Sequence, residues 1–200
     1  MTAKTWLLFL VPLVTTIAQE SGAPASNGVQ TVFSNDGTIK IRFDPNEQPE
    51  MHVWLSSTKK PGGRKALGET FFYIQDISIS AEKNWIVVKN GTASAGTSLI
   101  VFRRTSGLDY EKAGRVDPES ALKVLIAEKR IPRNFAPAHL HTTLIGWLNE
   151  ETGSFVLNVS GDGGAGSGQT HYLNWLCRYN PATGKIDPLN QRILEPIKGD

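Results

Sequence analysis

The chain has 200 residues, with 21 Lys and Arg against 19 Asp and Glu and a formal net charge of +2. That balance, with no long single-sign run, argues against a general basic field for nucleic acid or an anionic membrane. The one cysteine, Cys177, leaves no partner for an intramolecular disulfide and is too far along the chain to be a lipid-modified residue behind a leader.

The N-terminus reads MTAKTWLLFLVPLVTTIA. It places Lys4 before an apolar run and ends on the small Ala18, the order of a signal peptide over residues 1–18. Its apolar centre is about a dozen residues long and contains Pro12, whereas a membrane span needs roughly twenty. The expectation is an exported protein with no stable membrane insertion and no lipid anchor. Residues 19–36, opening QESGAPASNG, predict a flexible lead-in, and residues 37–200 a single β-rich domain. An exported domain without disulfides fits a bacterial periplasm or exterior better than a eukaryotic secretory route.

From Thr38 the pattern turns to period two. Ile39, Ile41 and Phe43 alternate with Lys40 and Arg42, and Asp44, Pro45 and Asn46 end the run: a half-buried strand and a turn. Residues 51–57, carrying Val53 and Leu55, make a second strand. Lys59, Lys60, Arg64 and Lys65 surround Pro61, Gly62 and Gly63, which reads as the solvated tip of a hairpin. Asp117, Pro118 and Glu119 form a helix start, with Asp117 as the expected cap. Ala121, Leu122, Leu125 and Ile126 then recur at helical spacing, so a helix is predicted from Pro118 to about Arg130. Residues 131–138, with Pro132 and Pro137, read as an extended connector.

Two stretches on either side of that helix share one order: strand, tight polar turn, strand, glycine-rich loop, strand, charged turn. The first, residues 77–107, contains Ile77-Ser78-Ile79-Ser80, then Trp85-Ile86-Val87-Val88, then Ser98 to Phe102. The second, residues 144–185, contains Leu144-Ile145-Gly146-Trp147, then Phe155 to Val159, then Tyr172 to Leu176. The order resembles the blade of a β-propeller in which a serine, proline, aspartate, glycine turn joins two inner strands, with Ser80-Ala81-Glu82-Lys83-Asn84-Trp85 standing in its place. Tyr179-Asn180-Pro181-Ala182-Thr183-Gly184-Lys185 resembles the outer-strand ending of the same blades. The mature chain has room for about two and a half blades, fewer than the four a closed propeller needs. The predicted fold is therefore mainly β: antiparallel, blade-like meanders forming an incomplete propeller, a small barrel or a sandwich, with one helical insert near 118–130.

Few residues suggest chemistry. His139 and His141 lie two apart, so on a strand their imidazoles share a face, as a metal pair or as two half-exposed side chains. Asp162 and His171 complete a candidate binding cluster only if the fold brings them near. The segment 160–168, SGDGGAGSG, lacks the following helix start and lysine of a phosphate loop and reads as a surface loop between strands. Neither Ser160 nor Ser167 sits in a nucleophile elbow. Of the tryptophans, Trp85 and Trp147 read as core, and one of Trp54 and Trp175 is expected to face solvent. No metal site and no cofactor are predicted.

The resulting expectation is a non-enzymatic binding or interaction protein of the cell envelope, taking a protein or an extracellular polymer and not nucleic acid. The alternative is a secreted hydrolase or metal-dependent enzyme built on His139, His141 and His171.

Overall fold

The computed structural model describes residues 28–47, 50–60, 62–91, 96–133, 135–164 and 170–191. Residues 1–18, read above as a signal peptide, lie outside them, as do residues 19–27 of the expected lead-in. The described chain is mainly β, with antiparallel meanders, one helix and no closed barrel. Among the described residues no helix is long and apolar enough to cross a membrane.

Four strands, β1 (Gln30–Phe33), β2 (Ile39–Phe43), β3 (Met51–Ser57) and β4 (Arg64–Phe71), form an antiparallel meander. A second sheet of eight strands begins with β5 (Tyr73–Ile79), β6 (Trp85–Gly91), β7 (Thr97–Ser106) and β8 (Asp109–Val116). After the helix α1 (Pro118–Ala127) it continues with β9 (Ala136–Asn149), β10 (Ser154–Gly164), β11 (Thr170–Asn180) and β12 (Lys185–Gln191). Its order is β12-β11-β10-β9-β7-β6-β5, with β8 also paired to β7. Pro188 sits in β12, the edge strand of the sheet, opposite Cys177 and next to a register shift between Leu176 and Cys177, the kind of position where a strand tolerates proline.

Strands β6 and β7 are apolar on both faces because they feed two cores. Ile86, Val88, Ile100 and Phe102 pack with Ile39, Ile41, Val53 and Leu55 of the four-stranded sheet. Their alternates, Trp85, Val87, Leu99 and Val101, pack with Phe155, Leu157, Trp175, Cys177 and the helix residues Ala121 and Leu125. Period two thus divides one pair of strands between two hydrophobic layers.

The two predicted blade-like units are present as the meanders β5–β7 and β9–β11, but they share one sheet and do not stand as separate blades. They join where Thr97 lies parallel to His141. The Thr97 hydroxyl donates to the Thr142 carbonyl at 3.1 Å and accepts from the Thr142 N–H at 3.0 Å, while the Thr142 hydroxyl donates to the Thr97 carbonyl at 2.8 Å. Both threonines are fully buried, so this reciprocal clasp satisfies polar groups where the antiparallel ladder changes direction.

Three expectations are corrected. Strand β1 falls inside the stretch read as lead-in. Its pairing with β2 is set by a turn in which Gly37 takes φ +67° and the Ile39 N–H donates to the Ser34 hydroxyl. The helix ends at Ala127, short of Arg130. Lys129 adopts φ +57°, its N–H donates to the Ile126 carbonyl, and the Arg130 N–H donates to the Leu125 carbonyl, closing a Schellman turn. Asp117 makes no side-chain cap, because its carboxylate accepts from Arg115 Nε at 2.6 Å instead.

The glycine-rich segment is also less of a loop than expected. Strand β10 runs through Gly164 and β11 resumes at Thr170, leaving 165–169 outside the described residues. Gly161 is demanded by strand packing: a β-carbon there would lie 2.2 Å from the His139 carbonyl oxygen.

Candidate functional site

The fold brings three of the four candidate residues together. His139 and Asp162 are direct cross-strand partners on β9 and β10, and Asp162 Oδ1 lies 3.0 Å from His139 Nδ1. His141, two residues on, pairs with Ser160. His171 pairs through its backbone with Gly163, which places it on the neighbouring strand; its side chain lies outside the described residues. Burial, then the charges of Lys89 and His139, hold His141 below the ordinary imidazole range, and Asp162 acts in the opposite sense.

This cluster is open. His139 and Asp162 are each about half exposed, where an ion pair contributes about 0–1 kcal/mol. No group of three or more His, Cys, Asp or Glu among the described residues is placed to hold a metal ion. Among the described residues no hydrogen bond joins a serine hydroxyl to the His139 or His141 imidazole.

A second site emerges on the outer face of the four-stranded sheet. Ile39, Ile41 and Phe43 of β2 and Met51, Val53 and Leu55 of β3 point into the core, so their alternates Lys40, Arg42, His52, Trp54 and Ser56 point outward. The register sets Arg42 opposite Trp54, Trp54 opposite Ala66, and Ser56 opposite Arg64. Arg64 reaches diagonally and lays its guanidinium over the indole of Trp54, 4.3 Å from the ring centroid. Lys40 sits 6.0 Å over the exposed ring of its partner Phe33, and the His52 and Trp54 rings are 6.0 Å apart.

Two hollows lie on this face. One, of about 490 Å³, is floored by Trp54 and Ser56 and walled by Arg42 and Arg64. Asp44 and Glu47 of the β2–β3 turn bound it on one side, and Gly62 and Gly63 of the β3–β4 turn on the other. The second, of about 500 Å³, is lined by His52, Ala66, Gly68, Glu69 and Thr70. It follows from a bulge in β4, where Gly68 takes φ +82° and the register slips between His52 and Trp54.

Charge separates this face from much of the surface. Lys65, Lys112, Arg115, Arg178 and Lys185 each hold a carboxylate within 3.0 Å. Lys40, Arg42 and Arg64 have no carboxylate partner among the described residues, nor have Lys59 and Lys60 at the adjoining hairpin tip. Lys65, grouped with that tip in the sequence reading, instead pairs with Asp109. The face was missed because its residues come from three strands. The legible signal was the polar phase of two neighbouring strands, which holds Lys40, Arg42 and Trp54 on one side.

Comparison with models of known protein families finds no match, and comparison with curated proteins finds none.

Proposed function

We propose that the protein is an exported, non-enzymatic binding protein of the cell envelope, and that it meets its ligand with the outer face of the four-stranded sheet. The observation that carries this reading is Trp54. Trp85 and Trp175 are buried in a core, and Trp147 packs against one. Trp54 alone among the described tryptophans is spent outside both cores, in a hollow between two guanidinium groups without carboxylate partners. The order of residues 1–18 supports export.

The test is co-sedimentation of the mature protein with the envelope fraction of its own cells. The double variant Arg42→Gln/Arg64→Gln loses binding, whereas Lys123→Gln/Arg133→Gln, which removes the same charge elsewhere, keeps it. Equal binding by both variants would overturn the assignment of the face.

A second reading has one observation behind it, the His139–Asp162 pair beside His141. A secreted hydrolase or metal-dependent enzyme using His139, His141 and His171 would lose its activity in His139→Gln. The binding reading expects that variant to sediment with the envelope as the parent does.

A further inference from the structure

We infer that the ligand of this face is an acidic polysaccharide chain, its carboxylates held by Arg42 and Arg64 and its sugar rings laid along the line from Trp54 to Thr70. The inference rests on the reading of the face given above and adds the chemistry of the ligand.

The charge comes first. Lys40, Arg42 and Arg64 stand on one face with no carboxylate in ion-pair contact among the described residues, and with Lys59 and Lys60 at the adjoining hairpin tip they outnumber Asp44 and Glu47 of the first hollow, so the face is complementary to an anion. Asp44 and Glu47 lie at one margin only, and Asp44 Oδ1 accepts from the backbone and side-chain N–H groups of Asn46, both at 2.9 Å, which holds that carboxylate in its own turn. Glu69, in the second hollow, is neutralised by Lys112 at 2.7 Å.

The form of the cation matters next. The Arg64 guanidinium lies over Trp54, 4.3 Å from the ring centroid, with no hydrogen bond to another described residue, and a planar fork matches a carboxylate through two parallel hydrogen bonds. Arg42, directly across from Trp54, presents a second fork from the other wall of the same hollow. An acid group bound here therefore meets guanidinium donors from two walls of one hollow.

The remaining lining suits a polymer of sugars. The two hollows adjoin, since Trp54 of the first and His52 of the second have ring centroids 6.0 Å apart, so a ligand that fills both is extended. Ser56 and Thr70 supply neutral hydroxyls, and Ala66 and Gly68 leave room for a ring to approach the backbone.

The experiment uses the mature protein and three probes: polygalacturonate, neutral dextran and a single-stranded oligodeoxynucleotide of matched charge. The expected result is binding of polygalacturonate that weakens between about 50 and about 300 mM salt, with no binding of dextran. Affinity falls about tenfold or more in Arg42→Gln/Arg64→Gln and stays within about twofold in Lys123→Gln/Arg133→Gln. Trp54→Leu, which frees Arg64 from its ring, gives an intermediate loss.

Absence of polygalacturonate binding overturns the inference, as does equal binding by the two double variants or tighter binding of the oligonucleotide. The two levels fail separately. If Arg42→Gln/Arg64→Gln loses the envelope fraction while polygalacturonate does not bind, the face stands and the acidic polysaccharide falls. If that variant keeps the envelope fraction, the face itself is wrong.

Discussion

Gly153 lies directly against the indole of Trp85: a β-carbon on Gly153 would stand 2.4 Å from the ring atoms Cδ2 and Cε2. The contact docks the β9–β10 turn onto the β5–β6 turn. The Trp85 Nε1–H donates to the Glu150 carbonyl at 2.6 Å, and the Glu150 carboxylate accepts from the Ala81 N–H at 2.7 Å. The two meanders thus meet turn to turn as well as through Thr97 and Thr142.

Gly153→Ala adds a methyl group where a buried, rigid ring stands and where φ is +66°, a backbone conformation that costs any other residue. Both penalties act together, so the expected loss is about 2–4 kcal/mol of stability. Urea unfolding followed by tryptophan fluorescence measures it. A midpoint unchanged from the parent would show that the two turns are not docked in this way.

Half of this arrangement was legible in the sequence. Alternation over Ile39, Ile41 and Phe43, and over Val53 and Leu55, exposed β2 and β3 because each has one wet face. The unbroken runs at Trp85–Val88 and Leu99–Phe102 marked strands, but a run apolar on both sides does not say which residue enters which core. Strand β8 was silent, since in DYEKAGRV only Val116 is fully buried and the rest is held by pairing with β7. Strand β1 was hidden by its polar surroundings. The His139–Asp162 pair joins residues 23 apart and depends on the β9–β10 register, with its irregularities, which no local pattern encodes. The Arg42, Trp54 and Arg64 face needed two registers at once.

Lys83 ties the two sheets together. It occupies the β5–β6 turn with φ +63°, and its ammonium binds Asp36 of the β1–β2 turn. Its carbonyl accepts from the Tyr110 hydroxyl at 2.6 Å, a phenol that burial pushes up to about 12. Lys83, then the Ser34 and Thr38 hydroxyls, hold the Asp36 carboxyl well below the usual carboxylate range. Because the folded value is depressed, this contribution to stability is present above about pH 3.8 and is lost as the pH falls through the folded value. Asp36→Asn should therefore lower the melting temperature at neutral pH, with the difference from the parent closing in strong acid. A difference that stays constant with pH would mean that the carboxylate charge is not what matters there.

His141 carries the opposite charge logic with the same sign of pH dependence. An imidazole in the unfolded chain titrates near 6.5, and burial with Lys89 nearby holds the folded one lower. As the pH falls the unfolded chain takes the proton first, so the stability associated with neutral His141 is whole above about 6.5 and lost as the pH drops through the folded value. Acidification from about pH 7.5 to about pH 5 should then lower the melting temperature more in the parent than in His141→Gln. NMR titration supplies a direct check: Lys89→Gln raises the His141 value and Asp162→Asn lowers it. Equal acid sensitivity in parent and His141→Gln would remove the argument.

Cys177 should be chemically silent in the native protein. It is fully buried among Leu157, Trp175 and Tyr179, and burial, followed by the charge of Glu128, pushes its thiol up to about 12. At neutral pH it is therefore a protonated, inaccessible group that behaves as a small apolar side chain. Labelling with a thiol-reactive dye should be negligible in native buffer and should rise with denaturant along the same curve as tryptophan fluorescence, because no opening short of unfolding the core exposes the sulfur. Cys177→Ser should cost about 1–3 kcal/mol, since it places a hydroxyl in an apolar layer, and Cys177→Ala should cost less than Cys177→Ser. Labelling in native buffer at the rate of a free thiol would show that the layer between β10, β11 and the helix opens on its own, and with it the support beneath His139 and Asp162.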